Sequence, residues 1–519
     1  MALTETRPDT DDASAGEAAI SQPGAVERLI GSGDHVAIGR LFIGFGLALA
    51  SLSLTLWAVT GIDALTDNGF LGGRTPQLTS SAQTALLFLG VVPTLLGVFI
   101  AVVPLQLGSP SIAFPRAVAL SFWTWLVAGG IFAVSIAIDG GVMGGDETAA
   151  TLGNAALGAV LVALGLGAVC VATTVMAHRP LGMRLAWVPG LSWSALVASS
   201  LWLVTLGAAA AHMLLGQVAK MGPAALATNF SENLIWVFRG PAVFAFAIPV
   251  LGIAVDVVAT ATGRRFANTD AMQMIIGLYA ILAFGAWAQL PTAINTAMWT
   301  LFVLAIAVPI LAMVGAIGDA MRRGKATMSP ALILSIFSVL LLLGAVVAGC
   351  VQALSLAGQG TLFAASPATL AAAQTAFIAA AGIAGAVAAS FHWSPLLWGG
   401  AGNSVESRLT LPLVVLGGAL LGTSVLVQAA VQLDGETTAY QLFGLLTAGG
   451  AALLALGALS ALVAAIRAAN DEDVDPVDGL TLEWSFDAPA SGGVGPVDLV
   501  RVRSPYPLLD AREGTEEKD

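Results

Sequence analysis

Long apolar stretches recur along this chain of 519 residues. About 12 of them are long enough to cross a hydrocarbon core of roughly 30 Å. Helices are the expected spanning element, because unpaired backbone groups are too costly in lipid and the stretches are too long for barrel strands. A mean hydropathy of +0.88 with 10% charged residues excludes an ordinary soluble domain. The sequence therefore predicts an all-α membrane protein, with spans near 36–59, 83–105, 115–138, 151–176, 188–217, 233–260, 271–292, 296–318, 328–352, 367–390, 409–431 and 440–467.

The basic residues are distributed unevenly around these predicted spans. If consecutive spans cross in alternate directions, one side holds little beyond Arg74 and Lys220. The other side holds Arg116, Arg179, Arg184, Arg264, Arg265, Arg322, Arg323, Lys325, Arg408 and Arg467. Because positively charged loops stay in the cytoplasm, we expect an integral, multi-pass membrane protein with both termini cytoplasmic.

Three regions differ in composition. Residues 1–34 form an acidic N-terminal tail, residues 35–468 the predicted twelve-helix bundle and residues 469–519 a C-terminal tail, and the topology places both tails in the cytoplasm. Most of the net charge of −12 comes from these tails, where acidic side chains are usually solvated. Membrane lipid is an expected partner and nucleic acid is not. The N-terminus has no basic segment followed at once by an apolar core, so we expect no cleaved signal peptide.

Several segments carry a more specific pattern. Residues 232–244 read Glu-Asn-Leu-Ile-Trp-Val-Phe-Arg-Gly-Pro-Ala-Val-Phe, and residues 103–116 read Val-Pro-Leu-Gln-Leu-Gly-Ser-Pro-Ser-Ile-Ala-Phe-Pro-Arg. Asp-His-Val-Ala-Ile-Gly at 34–39, Thr-Leu-Glu-Trp at 481–484 and Arg-Ser-Pro-Tyr-Pro-Leu-Leu-Asp at 503–510 complete the set. Taken in their order along the chain, these segments resemble subunit I of the heme-copper oxidases, the cytochrome c oxidase subunit I family. The resemblance implies an oxidase-like bundle of about 12 helices, a bacterial plasma-membrane location and partners similar to oxidase subunits II and III.

The resemblance also implies where metal ligands should lie. The family holds two hemes and one copper with six histidines, because neutral imidazole is a good ligand for iron and copper. By local match the six positions fall on Ala82, Gly240, Gln289, Leu290, Ala373 and Thr375, and none is a histidine. The whole chain has four histidines, which do not converge in the predicted topology: His35, His178, His212 and His392. We therefore expect no catalytic residue, no cofactor-binding residue, no metal ligand and no bound cofactor.

The supporting residues of the family are replaced as well. The arginine pair that clamps heme propionates by charge-assisted hydrogen bonds falls on Gly435 and Glu436. The positions of the two proton routes fall on Ser111, Val118, Ala119 and Met313. Proton relays within a bilayer need groups that titrate or hydrogen-bond. The resemblance therefore implies that both proton routes are missing.

Two charged residues of the sixth predicted span have open interpretations. Arg239 lies beside the vacated copper position, where it either supplies positive charge, with Glu232 or Gln289 as its partner, or extends to the headgroup region. For Asp256 the sequence favours an ion pair with Arg264 or Arg265. Tryptophans near span ends are interpreted as an interfacial belt, namely Trp123, Trp125, Trp187, Trp193, Trp202, Trp393 and Trp398.

Three functions follow from these observations. The first is a non-catalytic subunit I homologue that acts as a scaffold subunit of a respiratory-type membrane complex. The second is a terminal oxidase subunit I that uses unusual ligands. The third is a lipid- or quinone-binding or transport protein, because small side chains at Ala82, Gly240 and Ala373 would leave a cavity if the bundle did not collapse. The sequence favours the first, and it leans against an enzyme.

Overall fold

The computed structural model describes residues 33–66, 69–142, 144–180, 182–221, 241–287, 296–356, 367–400, 405–431, 438–470, 479–485 and 502–516. These parts are helical and contain no strand. The first helices are α1 (His35–Asp63), α2 (Thr75–Ala85), a π-helical segment (Leu86–Val91), α3 (Val92–Gln106), α4 (Pro115–Ala137), α5 (Glu147–Ala177) and α6 (Gly190–Met221). A 3₁₀ segment (Pro241–Ala247) leads into α7 (Ile248–Thr262), α8 (Thr269–Trp287), α9 (Thr296–Ala305), α10 (Ala307–Arg323) and α11 (Pro330–Leu356). The last are α12 (Pro367–His392), α13 (Ser394–Leu397), α14 (Val405–Val431), α15 (Thr438–Ala468), a 3₁₀ turn (Leu482–Ser485) and α16 (Pro507–Glu516).

Eleven helices of the described residues are long and apolar enough to cross a membrane. One of them is continuous from α2 through the π-helical segment to the end of α3, over Thr75–Gln106. The described part of α8 is shorter and belongs to the predicted seventh span, whose residues 288–292 lie outside the described parts. Residues 233–240 of the predicted sixth span also lie outside them. The prediction of an all-α membrane bundle is confirmed, and the chain is an integral, multi-pass membrane protein.

Small residues set the spacing between neighbouring helices. A Cβ added to Gly39 of α1 would lie 2.6 Å from the Cβ of Ala101 in α3. One added to Gly46 would lie 2.2 Å from the Oγ1 of Thr94. Because the earlier residue of α1 faces the later residue of α3, the two helices run antiparallel. The backbones approach closely because glycine has no side chain at these points, as is common between helices in lipid.

Three spans form the centre of the bundle. The span Thr75–Gln106 is buried along all of its most apolar window, and the spans Val243–Thr262 and Leu370–His392 are buried along 94% of theirs. The surrounding helices bury only one face and direct large apolar side chains outward, such as Leu52, Val127 and Leu214. This arrangement is expected where lipid surrounds the protein, because an outward apolar face is then stable.

Three tryptophans that the sequence assigns to an interfacial belt lie in the interior instead. The side chains of Trp125, Trp202 and Trp393 are fully buried. The indole Nε1 of Trp125 donates to the carbonyl of Phe88 at 3.0 Å, and that of Trp202 donates to the carbonyl of Ala245 at 2.9 Å. The belt prediction is wrong for these residues, because each indole N–H finds an internal acceptor and can therefore be buried with its ring.

Candidate functional site

Three of the six vacated ligand positions lie among the described residues, all of them on the central spans. Ala82 is on α2, and Ala373 and Thr375 are on α12. Ala82 and Ala373 have no exposed surface, and Thr375 is 2% exposed. The Oγ1 of Thr375 donates to the carbonyl of Ala371 in the same helix at 3.0 Å.

These side chains do not fit a heme. A methyl group has no lone pair for iron, and the hydroxyl of Thr375 is already bonded to its own helix. A side chain lining a void that could admit a water molecule would keep some accessible surface, and Ala82 and Ala373 keep none. The space beside them is therefore filled by protein. Of the two alternatives that the sequence left open, a collapsed core or a cavity, the burial of these two side chains favours the collapsed core.

Further along the same helices, the central spans also pack closely against each other. A Cβ added to Gly382 of α12 would lie 2.3 Å from the Cγ1 of Val91 in the π-helical segment. The rings of Phe88 and Phe246 meet edge to face, with their centroids 5.2 Å apart. Side chains in such close contact interdigitate as in an ordinary protein core. A flat macrocycle would have to push them apart.

Gln374 is a polar residue of this region that sequence reasoning missed. It lies between Ala373 and Thr375, is 1% exposed, and neither its Oε1 nor its Nε2 has a hydrogen-bond partner in the described part of the chain. A Cβ added to Gly349 of α11 would lie 2.7 Å from this Nε2. Burying an amide without partners destabilises a protein. The sequence gives no signal for this, because a glutamine on an apolar helix is usually bonded.

The positions of the family's proton routes are apolar or small here. Met313 of α10 and Val118 of α4 are fully buried, and Ala119 is half-buried. Ser111 precedes α4, and its carbonyl accepts from the Oγ of Ser109 at 2.7 Å. None of these four side chains titrates in the ordinary pH range.

The remaining predicted site residues lie outside the described parts of the chain. They are Glu232, Arg239, Gly240, Gln289, Leu290, Gly435 and Glu436. The two interpretations of Arg239 therefore stay predictions.

The structure corrects the interpretation of Asp256. Its Oδ1 accepts from the backbone N–H of Gly190 and its Oδ2 from that of Leu191, both at 2.9 Å. Oδ2 also accepts from the Nε2 of Gln106 at 2.8 Å. The predicted ion pair with Arg264 or Arg265 is wrong, because the amides at the start of α6 are directed at this carboxylate. Arg265 binds two acidic residues of α16 instead, Asp510 and Glu513.

The four histidines lie in separate environments. His35 begins α1, and His178 follows α5 with its Nδ1 3.3 Å from the Oγ of Ser109. His212 lies within α6, where its Nδ1 is 2.9 Å from the carbonyl of Ala208. His392 ends α12 and packs against Trp393 and Trp484. Within the described ranges no three His, Cys, Asp or Glu side chains form a group that could hold a metal ion.

Comparison with known proteins identifies the relatives of this bundle. The family model for cytochrome c and quinol oxidase polypeptide I matches residues 37–448. The cytochrome c oxidase subunit 1 of Bacillus sp. (strain PS3) is 28% identical over 279 residues, which cover 49% of this chain and 45% of that protein. A probable cytochrome c oxidase subunit 1-beta of Nocardia farcinica is 30% identical over 233 residues, covering 41% and 40%.

The name of another relative combines two subunits. The heme-copper oxidase subunit I+III of Aeropyrum pernix is 27% identical over 285 residues, which cover 50% of this chain and 35% of that protein. The chain thus spans less than half the length of each of these curated relatives. The family match covers most of the chain and agrees with the all-helical membrane bundle. The chain belongs to the family of cytochrome c and quinol oxidase polypeptide I, the subunit I of heme-copper oxidases.

Proposed function

We propose that this chain is a non-catalytic subunit I homologue that serves as a structural subunit of a respiratory-type membrane complex. The observation that carries the proposal is the packing at Ala82, Ala373 and Thr375. Three positions that hold an imidazole in the family hold small buried side chains here, two of them methyl groups and the third a hydroxyl bonded to its own helix. The bundle around them is nevertheless intact.

The residues at the proton-route positions also argue against redox activity. Oxygen reduction in this family requires metal ligands and a supply of protons through the bilayer. Buried Met313 and Val118 offer neither titration nor hydrogen bonding. A change at one ligand would suggest a variant enzyme, but replacement of ligands and proton routes together favours a chain without redox activity.

A structural role explains why the bundle and its tail are retained. We infer partners similar to oxidase subunits II and III, since subunit I homologues pack with such proteins and the Aeropyrum pernix relative bears the name subunit I+III. We also infer a bacterial plasma-membrane location with both termini in the cytoplasm. The uneven distribution of arginine and lysine between the two sides supports this orientation.

The other two functions have less support. No described residue set favours a terminal oxidase with unusual ligands. A lipid or quinone site beside Ala82 and Ala373 would need space that these residues do not border.

Affinity purification of the tagged chain from its native membrane tests the proposal. We expect other membrane proteins to copurify in fixed ratio, and the chain separated from them to give no heme band in a reduced-minus-oxidised spectrum. Recovery as a partner-free monomer in mild detergent would overturn the scaffold role. A heme band from the separated chain would overturn the non-catalytic assignment.

A further inference from the structure

Three distant parts of the chain meet in a buried polar cluster at the end of the bundle where α3, α7 and α12 terminate. Gln106 is the last residue of α3, Asp256 lies near the end of α7, and Glu483 lies in the 3₁₀ turn after the last span. Gln106 and Glu483 have no exposed surface, and Asp256 is 1% exposed. Two acidic side chains are thus buried around a single amide.

The orientation of Gln106 is fixed by its acceptor side. Its Oε1 accepts from the backbone N–H of Ser192 at 3.2 Å and from the hydroxyl of Ser192 at 2.7 Å. A backbone N–H can only donate, so the amide oxygen must face Ser192 and the Nε2 must face the opposite way. This Nε2 donates to the Oδ2 of Asp256 at 2.8 Å and to the Oε1 of Glu483 at 3.1 Å. Both hydrogens of one amide are therefore used, one on each acid.

Asp256 has the hydrogen-bond donors that an ionised carboxylate needs. Besides Gln106, it accepts from the first two backbone amides of α6, those of Gly190 and Leu191. Amides at a helix N-terminus carry partial positive charge and stabilise an anion. Both oxygens of Asp256 are thus bonded to donors.

Glu483 does not have such donors on both of its oxygens. Its hydrogen bonds come from neutral groups, namely the amide of Gln106, the hydroxyl of Thr481, its own backbone N–H and the indole Nε1 of Trp393, which is 3.0 Å from Oε1. No donor reaches its Oε2 among the described residues. Burial raises the pKa of this carboxyl above its ordinary value, against the opposing effect of those hydrogen bonds.

The other titratable and charged groups that the structure describes nearby do not neutralise Glu483. Arg265 lies in the loop between α7 and α8 and binds Asp510 and Glu513. Burial raises the pKa of Tyr506, so this phenol stays neutral. The groups presented by the packed elements are Asp256 of α7, His392 of α12, Arg265 of the loop, and Tyr506, Asp510, Arg512 and Glu513 of the tail. The group that shares an amide with Glu483 is a second acidic side chain, Asp256.

We propose that Gln106, Asp256 and Glu483 form a proton-binding site between the bundle and the C-terminal tail (described residues 479–485 and 502–516). Asp256 is the carboxylate, and Glu483 docks as the neutral carboxylic acid with the proton on Oε2. Two adjacent buried carboxylates cannot both ionise at low cost, so the pair retains one proton taken from solvent. The site exists only while the tail is docked, because the tail supplies Glu483.

Proton uptake then couples tail docking to pH. The pKa of Glu483 in the docked tail lies above its value in a released tail, so the stabilisation from the proton is fully present below the released value. It is lost as pH rises through the docked value. Between the released and the docked value the docking constant falls by up to about tenfold per pH unit, because docking takes up one proton in that range, and above the docked value it no longer changes. This coupling does not depend on the proposed scaffold role.

Hydrogen exchange with mass spectrometry on the full chain in lipid nanodiscs tests this site. Protection of residues 479–485, corrected for the pH dependence of chemical exchange, should fall by up to about tenfold per pH unit between the released and the docked pKa of Glu483 and then level off. Glu483→Gln carries a neutral amide of the same shape, so its protection should stay high and independent of pH. Glu513→Gln is the matched control, because it removes a carboxylate from the exposed surface of the same tail, and it should keep the wild-type dependence.

Two outcomes would overturn the inference. The first is a wild-type tail whose protection does not change with pH over the range in which the bundle stays folded. The second is a Glu483→Gln variant that keeps the wild-type slope. Infrared difference spectroscopy adds a measurement on the wild-type chain, where a protonated-carboxyl band must disappear on raising pH, and absence of that band also refutes the site.

Discussion

Restoring an imidazole at a vacated ligand position should destabilise the bundle rather than create a heme site. Thr375 is 2% exposed, and its hydroxyl already bonds the carbonyl of Ala371. In Thr375→His a larger ring must enter filled space, which typically costs about 1–3 kcal/mol. The buried imidazole nitrogens without partners add about 1–3 kcal/mol. The expected loss in the free energy of unfolding is the sum, about 2–6 kcal/mol, a large fraction of the roughly 5–15 kcal/mol typical of folded proteins.

Thr423→His is the matched control for this change. Thr423 is an exposed residue of α14, and its hydroxyl donates to the carbonyl four residues earlier, that of Ala419, at 2.6 Å. The Thr423→His variant loses the same kind of hydrogen bond within a helix and gains the same imidazole, but its ring does not have to enter filled space. Denaturant unfolding in detergent can be followed by tryptophan fluorescence with and without hemin. The loss in the free energy of unfolding should be clearly smaller for the control than for Thr375→His. A Thr375→His variant that is as stable as Thr423→His and binds hemin stoichiometrically would show that the space beside Thr375 is not filled.

Other substitutions test the packing with the same unfolding assay. Gln374→Met removes a buried amide without partners and should raise the free energy of unfolding by about 1–3 kcal/mol; an unchanged or lower stability would mean that the amide is satisfied. Trp125→Phe removes the indole donor from the carbonyl of Phe88 and should lower stability by about 1–3 kcal/mol, whereas Trp123→Phe, at a half-buried neighbour, should change little; equal effects would contradict the role of the indole bond. Gly46→Ala places a Cβ 2.2 Å from a threonine oxygen and should lower stability by about 1–3 kcal/mol. Gly130→Ala has no atom within 4 Å of the added Cβ and should raise it by about 0.4–1 kcal/mol; the reverse order of these two would contradict the packing.

Apolar length and charge were sufficient to predict the membrane bundle. The stretch 151–176 contains most of α5, which extends over Glu147–Ala177, and the stretch 115–138 nearly coincides with α4. A span must match the thickness of the bilayer, so its length is visible in the sequence alone. Helix starts outside the apolar run were missed, because polar first turns such as that of α2 carry no hydropathy signal.

Long-range polar contacts could not be predicted. Asp256 is near Arg264 and Arg265 in sequence, but its donors come from residues 106, 190 and 191. The burial of Trp125 depends on a carbonyl that is available 37 residues away. Such pairings depend on how helices pack, and the sequence pattern of a single helix does not contain that information.

The heme and copper content of the purified polypeptide tests the central claim most directly. Pyridine hemochrome spectra and elemental analysis of the chain, separated from any partner subunit, give this content per molecule. We expect neither heme nor copper above the level found in a matched membrane protein of another family. Two hemes and one copper per chain would contradict it.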